Sequence, residues 1–102
     1  MTNKFTILGS GTSTGIPTIG CKCPTCTSDD PRDKRLRTSL LIESEDSKAV
    51  IDTSPDFRQQ LLRAGVDRLD GIVYTHSHFD HIGGFDDIRA LNFTSRRAMP
   101  LY

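Results

Sequence analysis

"YTHSHFDHIGG", residues Tyr74 to Gly84, holds every histidine of a 102-residue chain. His76, His78 and His81 lie within six positions, with Asp80 among them. The residues leading in, "LDGIVYTH", read as an apolar strand that rises into the cluster. In an extended segment, His76 and His78 direct their imidazoles to the same side. Asp80 and His81 follow where the chain can turn, and Gly83 and Gly84 permit a sharp turn or a close backbone approach. Imidazole and carboxylate are the usual ligands of zinc, manganese and iron. A histidine pair followed at once by an Asp–His pair can feed two neighbouring metals. A polar turn that merely contains histidines accounts for the spacing poorly.

Upstream, "KFTILG" (4–9), "TSLLIES" and "KAVIDTS" read as strands, the last two joined by the polar turn "EDSK". "SPDFRQQLLRAG" carries helix punctuation: Ser54 as cap, Pro55 in the first turn and Gly65 at the close. Phe57, Leu61, Leu62 and Ala64 are the expected buried face. "GFDDIRALNF" reads as a second helix, and the closing "AMPLY" as the opening of a further strand. Asp52 ends its strand before "TSP", where an aspartate can cap a helix or a turn.

Cys21, Cys23 and Cys26 crowd into "GCKCPTC". An odd count at tight spacing fits a disulfide framework poorly and reads as metal ligands or redox thiols. Three thiolates leave one tetrahedral position open on a zinc, and Pro24 favours a turn that would wrap one ion. The flanking segment, 18–37, is polar and reads as an irregular excursion. "GSGTSTG" is rich in glycine and hydroxyls, so a phosphate cradle has to be weighed. No lysine follows Gly15 and no crossover helix follows the loop, which argues against a nucleotide site. In "RDKRLRTS", a basic run, Arg35 or Arg37 could meet a phosphate ester.

Hydrophobic residues make up 35% of the chain and charged residues 25%, a composition of globular type. Thirteen basic and thirteen acidic side chains cancel, which weighs against a nucleic-acid footprint built on bulk charge. No apolar run is long enough for a membrane span, and a cytoplasmic protein is the default expectation. Strand, strand, helix, strand, helix would leave apolar sheet area uncovered, so residues 1–102 are expected to be one partial domain of a longer protein.

"THSHFDH" resembles the H-x-H-x-D-H motif of the metallo-β-lactamase fold, and "AVIDTSPDF" resembles the strand-ending aspartate placed before it. The resemblance implies an α/β architecture, the N-terminal half of an αββα sandwich. It implies two divalent metals, zinc or manganese, with His76 and His78 on one and Asp80 and His81 on the other. Asp80 would also orient the attacking water, and Asp52 would hold the ligand loop by hydrogen bonds. The remaining ligands of such a site, two histidines and a bridging aspartate, have no counterpart after residue 84. The missing half, or a second chain in a homodimer, would have to supply them.

"GSGTSTGIPTIGCKCPTC" resembles the opening of the cyclic-phosphodiesterase branch of that fold, associated with phosphonate breakdown. There a C-x-C-x-x-C run holds a structural zinc, which Cys21, Cys23 and Cys26 match. That branch implies a hydrolase of a small or cyclic phosphodiester, acting through a water activated by the metal pair. The pyrroloquinoline quinone biosynthesis proteins of B type open similarly and imply a non-catalytic accessory role instead. Processing of tRNA 3′ ends, known for related folds, is a further alternative, and the isolated chain is expected to be inactive.

Overall fold

The computed structural model describes residues 2–96 and 98–102. Short apolar runs build a four-stranded sheet from β1 (Lys4–Gly9), β2 (Ser39–Glu43), β3 (Lys48–Ile51) and β4 (Gly71–Val73). Their order across the sheet is β1-β2-β3-β4. β2 runs antiparallel to both β1 and β3, and β4 runs parallel to β3. A parallel pair needs a crossover, supplied here by helix α1 (Phe57–Ala64). The polar turn between β2 and β3 is closed by the Ser44 N–H donating to the Ser47 carbonyl at 2.8 Å. As expected from "AMPLY", the chain end adds strand-like pairing to β4. Ile72 N donates to Pro100 O at 3.0 Å, and Tyr102 N donates to Ile72 O at 2.8 Å.

Leu8, Leu41, Val50 and Ile72 contribute to the buried core from the four strands, which is what a period of two predicts for one covered face. Phe57, Leu61, Leu69, Ile88 and Leu91 complete that core. The alternate residues Phe5 and Ile7 of β1 remain exposed.

Helix α1 departs from expectation at its start and on its face. It begins at Phe57, with Asp56 at the cap position and no side-chain cap bond. Ser54 instead folds a turn before the helix, its hydroxyl accepting from Asp56 N at 3.1 Å and its carbonyl from Phe57 N at 3.0 Å. Phe57, Gln60 and Leu61 are buried, whereas Leu62 and Ala64 are exposed. Leu62 stands five residues, about 140°, round from Phe57 at 3.6 residues per turn. The expected Leu62 and Ala64 contacts are therefore replaced by Gln60, whose amide donates to Arg37 O at 2.8 Å. Gly65 closes the helix as expected, in the left-handed region at φ 70°.

Two short elements follow β4. Phe79–Ile82 forms a single helical turn, α2, that the sequence pattern did not announce. The expected second helix starts later than "GFDD": Phe85–Asp87 is a 3-10 turn, and α3 covers Ile88–Ser95. The 18–37 segment is irregular apart from a 3-10 turn at Pro31–Asp33. It is pinned by reciprocal backbone bonds between Ile16 and Arg35 at 2.9 and 2.8 Å. Among the described residues, no helix is long and apolar enough to cross a membrane.

Candidate metal centre

β1, β3 and β4 all run in one direction, so their C-terminal ends share one end of the sheet. Loops after parallel strands are where open α/β sheets place their sites. In the parallel register Ile51 lies opposite Val73, which sets Asp52 abreast of Tyr74 and Thr75. Asp52 is 2% exposed and adopts φ 66°, a left-handed conformation that aspartate tolerates better than most residues. Its backbone is fixed on both sides. Its N–H donates to Val73 O at 2.9 Å, and its carbonyl accepts from Ser39 Oγ at 2.8 Å.

The Asp52 carboxylate accepts three bonds. Thr75 N donates to Oδ1 at 2.8 Å, Thr75 Oγ1 donates to Oδ2 at 2.7 Å, and His81 Nδ1 lies 2.6 Å from Oδ2. Burial alone would raise this carboxyl, but the Thr75 and His81 donors outweigh it and hold it below the usual carboxylate range. The acid is thus an anion that only accepts, and His81 must donate from Nδ1. Thr75 has given its single hydroxyl proton to Asp52, so it accepts from His76 Nδ1, 2.9 Å away. Both imidazoles are oriented by their Nδ1 atoms, and their Nε2 atoms are directed away from these partners.

The three rings converge. The His76 and His78 centroids are 4.6 Å apart in an edge arrangement, and those of His76 and His81 are 4.0 Å apart. His81 Nε2 lies 3.1 Å from Asp80 Oδ2. With the ring proton on Nδ1, the Nε2 lone pair faces a carboxylate oxygen. That contact is repulsive unless positive charge lies between them, as a second ring proton or a metal cation. An imidazole nitrogen and a carboxylate oxygen this close are donors that one divalent cation could share. The sequence missed Thr75, whose hydroxyl ties Asp52 to His76. A hydroxyl residue directly before the first histidine of the motif was the available signal.

The turn carrying Asp80 and His81 sits tightly on the segment after Asp52. Gly84 N donates to Thr53 O at 2.9 Å. A Cβ on Gly84 would overlap the Ser54 carbonyl oxygen and stand 2.5 Å from Phe57 Cβ, so this is the close approach expected of the glycine pair. Tyr74, at the end of β4, bonds Thr53 Oγ1 through its hydroxyl at 2.8 Å. Thr53, Ser54 and Ser39 are buried with Asp52, a polar floor whose hydroxyls are all bonded.

Cys21, Cys23 and Cys26 form a second centre. Their sulfurs lie within 4.8 Å of one another and could hold a metal ion. Cys26 N donates to Cys23 Sγ and Thr18 N to Cys26 Sγ, both at 3.4 Å. The Cys26 amide, with the neighbouring thiols, lowers the Cys23 thiol to about 7, which favours the thiolate that metals bind. Among the described residues this is the group of three or more donors gathered that closely. His76, His78, Asp80 and His81 are not gathered as closely, although His76 neighbours both His78 and His81, and His81 neighbours Asp80. Arg37 is not free to meet an ester, since it pairs with Asp56 at 3.0 Å and donates to Ser13 O at 3.1 Å.

Comparison with known proteins agrees with this architecture. A crystal structure of a diphosphatase from the PhnP family superposes with a TM-score of 0.94 at 51% identity. The match covers 99% of this chain and 41% of that one. The octanoyltransferase of Porphyromonas gingivalis is 59% identical over 86 residues, covering 83% of this chain and 18% of that protein. Coenzyme PQQ synthesis protein B of Methylobacterium radiotolerans is 32% identical, covering 84% of this chain and 33% of that protein. The chain thus spans less than half the length of each. Residues 32–101 match the family model described as the metallo-beta-lactamase superfamily, and the chain belongs to that superfamily.

Proposed function

We propose that this chain is the histidine-bearing half of a metal-dependent hydrolase acting on a phosphodiester or diphosphate, with a small or cyclic phosphodiester as the leading substrate class. One observation carries the proposal: the 3.1 Å contact of His81 Nε2 with Asp80 Oδ2, beside an Nδ1 already committed to Asp52. His76 and His78 would hold one divalent ion, and Asp80 and His81 a second. Bound there, such ions supply Lewis acidity toward phosphoryl oxygens and lower the pKa of a water. Asp52 and Thr75 fix the rings so that no reorganisation is needed when substrate arrives. Asp80, half-buried beside His81, would orient the attacking water. Cys21, Cys23 and Cys26 would hold a structural zinc that fastens an otherwise thinly packed loop. The PhnP-family diphosphatase supports phosphate-ester chemistry through its likeness over 99% of the chain.

The coenzyme PQQ synthesis protein B relative supports a second reading, a metal-binding accessory role without turnover. Assay of the full-length protein with bis(p-nitrophenyl) phosphate, a ribose cyclic phosphate and a dinucleoside diphosphate separates the two. Metal-dependent turnover of any one supports the hydrolase. Full metal loading with no turnover of all three supports the accessory role and rules out the hydrolase reading.

A further inference from the structure

On the far edge of the sheet from the histidines, β1 borders a groove whose cations lack acidic partners. Two adjoining cavities of about 430 and 170 Å³ share Lys34, Arg35, Leu36 and Arg63 in their walls. The three basic residues come from two parts of the chain, the segment before β2 and the last turn of α1. Each is held by a neutral acceptor. Arg35 Nη1 donates to Ser10 Oγ at 3.0 Å, Arg63 Nη2 donates to Leu8 O at 2.5 Å, and Lys34 Nζ donates to the Ser28 carbonyl. Among the described residues none of the three forms an ion pair, whereas Arg32, Arg37, Lys48, Arg68 and Arg89 all do. The chain as a whole is neutral, so this is a local concentration of uncompensated positive charge.

We propose that this groove is a binding site for a phosphate-type dianion, separate from the histidine centre. Neutral anchors fix the guanidinium groups without spending their charge, and each keeps further N–H donors for a bidentate oxyanion contact. Fixing a long side chain beforehand also removes part of the ordering cost of binding. The apolar wall of Ile16, Pro17 and Leu36 lowers the local dielectric and strengthens the attraction. β1 and β4 stand three strand spacings apart, roughly 14 Å, so the ligand here does not share the donors of the histidine stretch. Free inorganic phosphate and the phosphate end of a larger ester share this chemistry.

Backbone amide shifts of the protein titrated with inorganic phosphate at low salt test the proposal without reference to turnover. The expected result is saturable change centred on Ile16, Lys34 to Leu36 and Gln59 to Arg63. R35Q/R63Q should weaken binding roughly tenfold or more, as expected for the loss of charge-assisted contacts. R35Q alone should weaken it too and leaves the Arg63 anchor on β1 intact, while R58Q on the same helix should not. A parallel titration with phenyl phosphate identifies the source: comparable affinity marks the end of a larger ester, and weaker affinity marks the free ion. No saturable binding, binding unchanged in R35Q and R35Q/R63Q, or shifts centred on Thr75 to His81 would overturn it.

Discussion

Asp52 Oδ2 and His81 Nδ1 lie 2.6 Å apart across 29 residues of sequence, joining the end of β3 to the turn after β4. The pairing fixes which nitrogen of His81 carries its proton. It also leaves the carboxylate bonded to Thr75 and His81, as the proposed supporting role requires. D52N keeps the shape and removes the charge. Its metal affinity at the histidine centre should fall about 10–100-fold, as for other carboxylate–histidine supports. Competition with a graded chelator reads this, and unchanged affinity would show that Asp52 serves only the turn.

Thr75 is the second support, and its hydroxyl acts on two partners at once. T75V keeps the backbone N–H bond to Asp52 but frees His76 Nδ1. The loss of two bonds should lower stability by about 1–2 kcal/mol. It should also broaden the NMR signals of His76 through tautomer exchange while leaving His78 unaltered. Proton–nitrogen spectra of the imidazoles check the second point.

Gly84 has no room for a side chain against Ser54 and Phe57. G84A forces the Asp80–His81 turn off its seat and should cost about 1–3 kcal/mol, as other overpacking changes do. Urea unfolding measures the cost. Metal binding at the histidines should weaken in parallel, since the same turn carries Asp80 and His81.

C23S breaks the cysteine centre alone. One equivalent of zinc should be lost, with metal at the histidine centre retained, because the two sets share no residue. Elemental analysis of wild type and C23S gives the difference directly. Loss of all metal would show that the two centres depend on one another.

Much of this architecture was legible in the chain. Short apolar runs marked β1, β2 and β3, and Gly65 marked the end of α1, because a left-handed closing residue has few alternatives. The motif singled out His76, His78, Asp80 and His81 as candidates, and the strand-ending aspartate singled out Asp52, which the fold brings to His81. Three features were not legible. Buried Gln60 reads as surface, since only the fold brings the Arg37 carbonyl to its amide. The role of Thr75 needs the parallel register of β3 and β4, a non-local pairing. The uncompensated charge of Arg35 and Arg63 depends on which basic residues find acids in space: the Arg37 guanidinium pairs with Asp56, whereas that of Arg35 donates to the neutral Ser10 hydroxyl.

The central claim is that His76, His78, Asp80 and His81 carry divalent metal under the control of Asp52. Metal content of the full-length protein, compared between wild type and D80A/H81A by elemental analysis, tests it most directly. The account predicts more than one equivalent in the wild type, loss of at least one in the variant, and retention of the cysteine-bound zinc. A wild type holding one equivalent or less, all of it removed by C23S and none by D80A/H81A, would contradict the account.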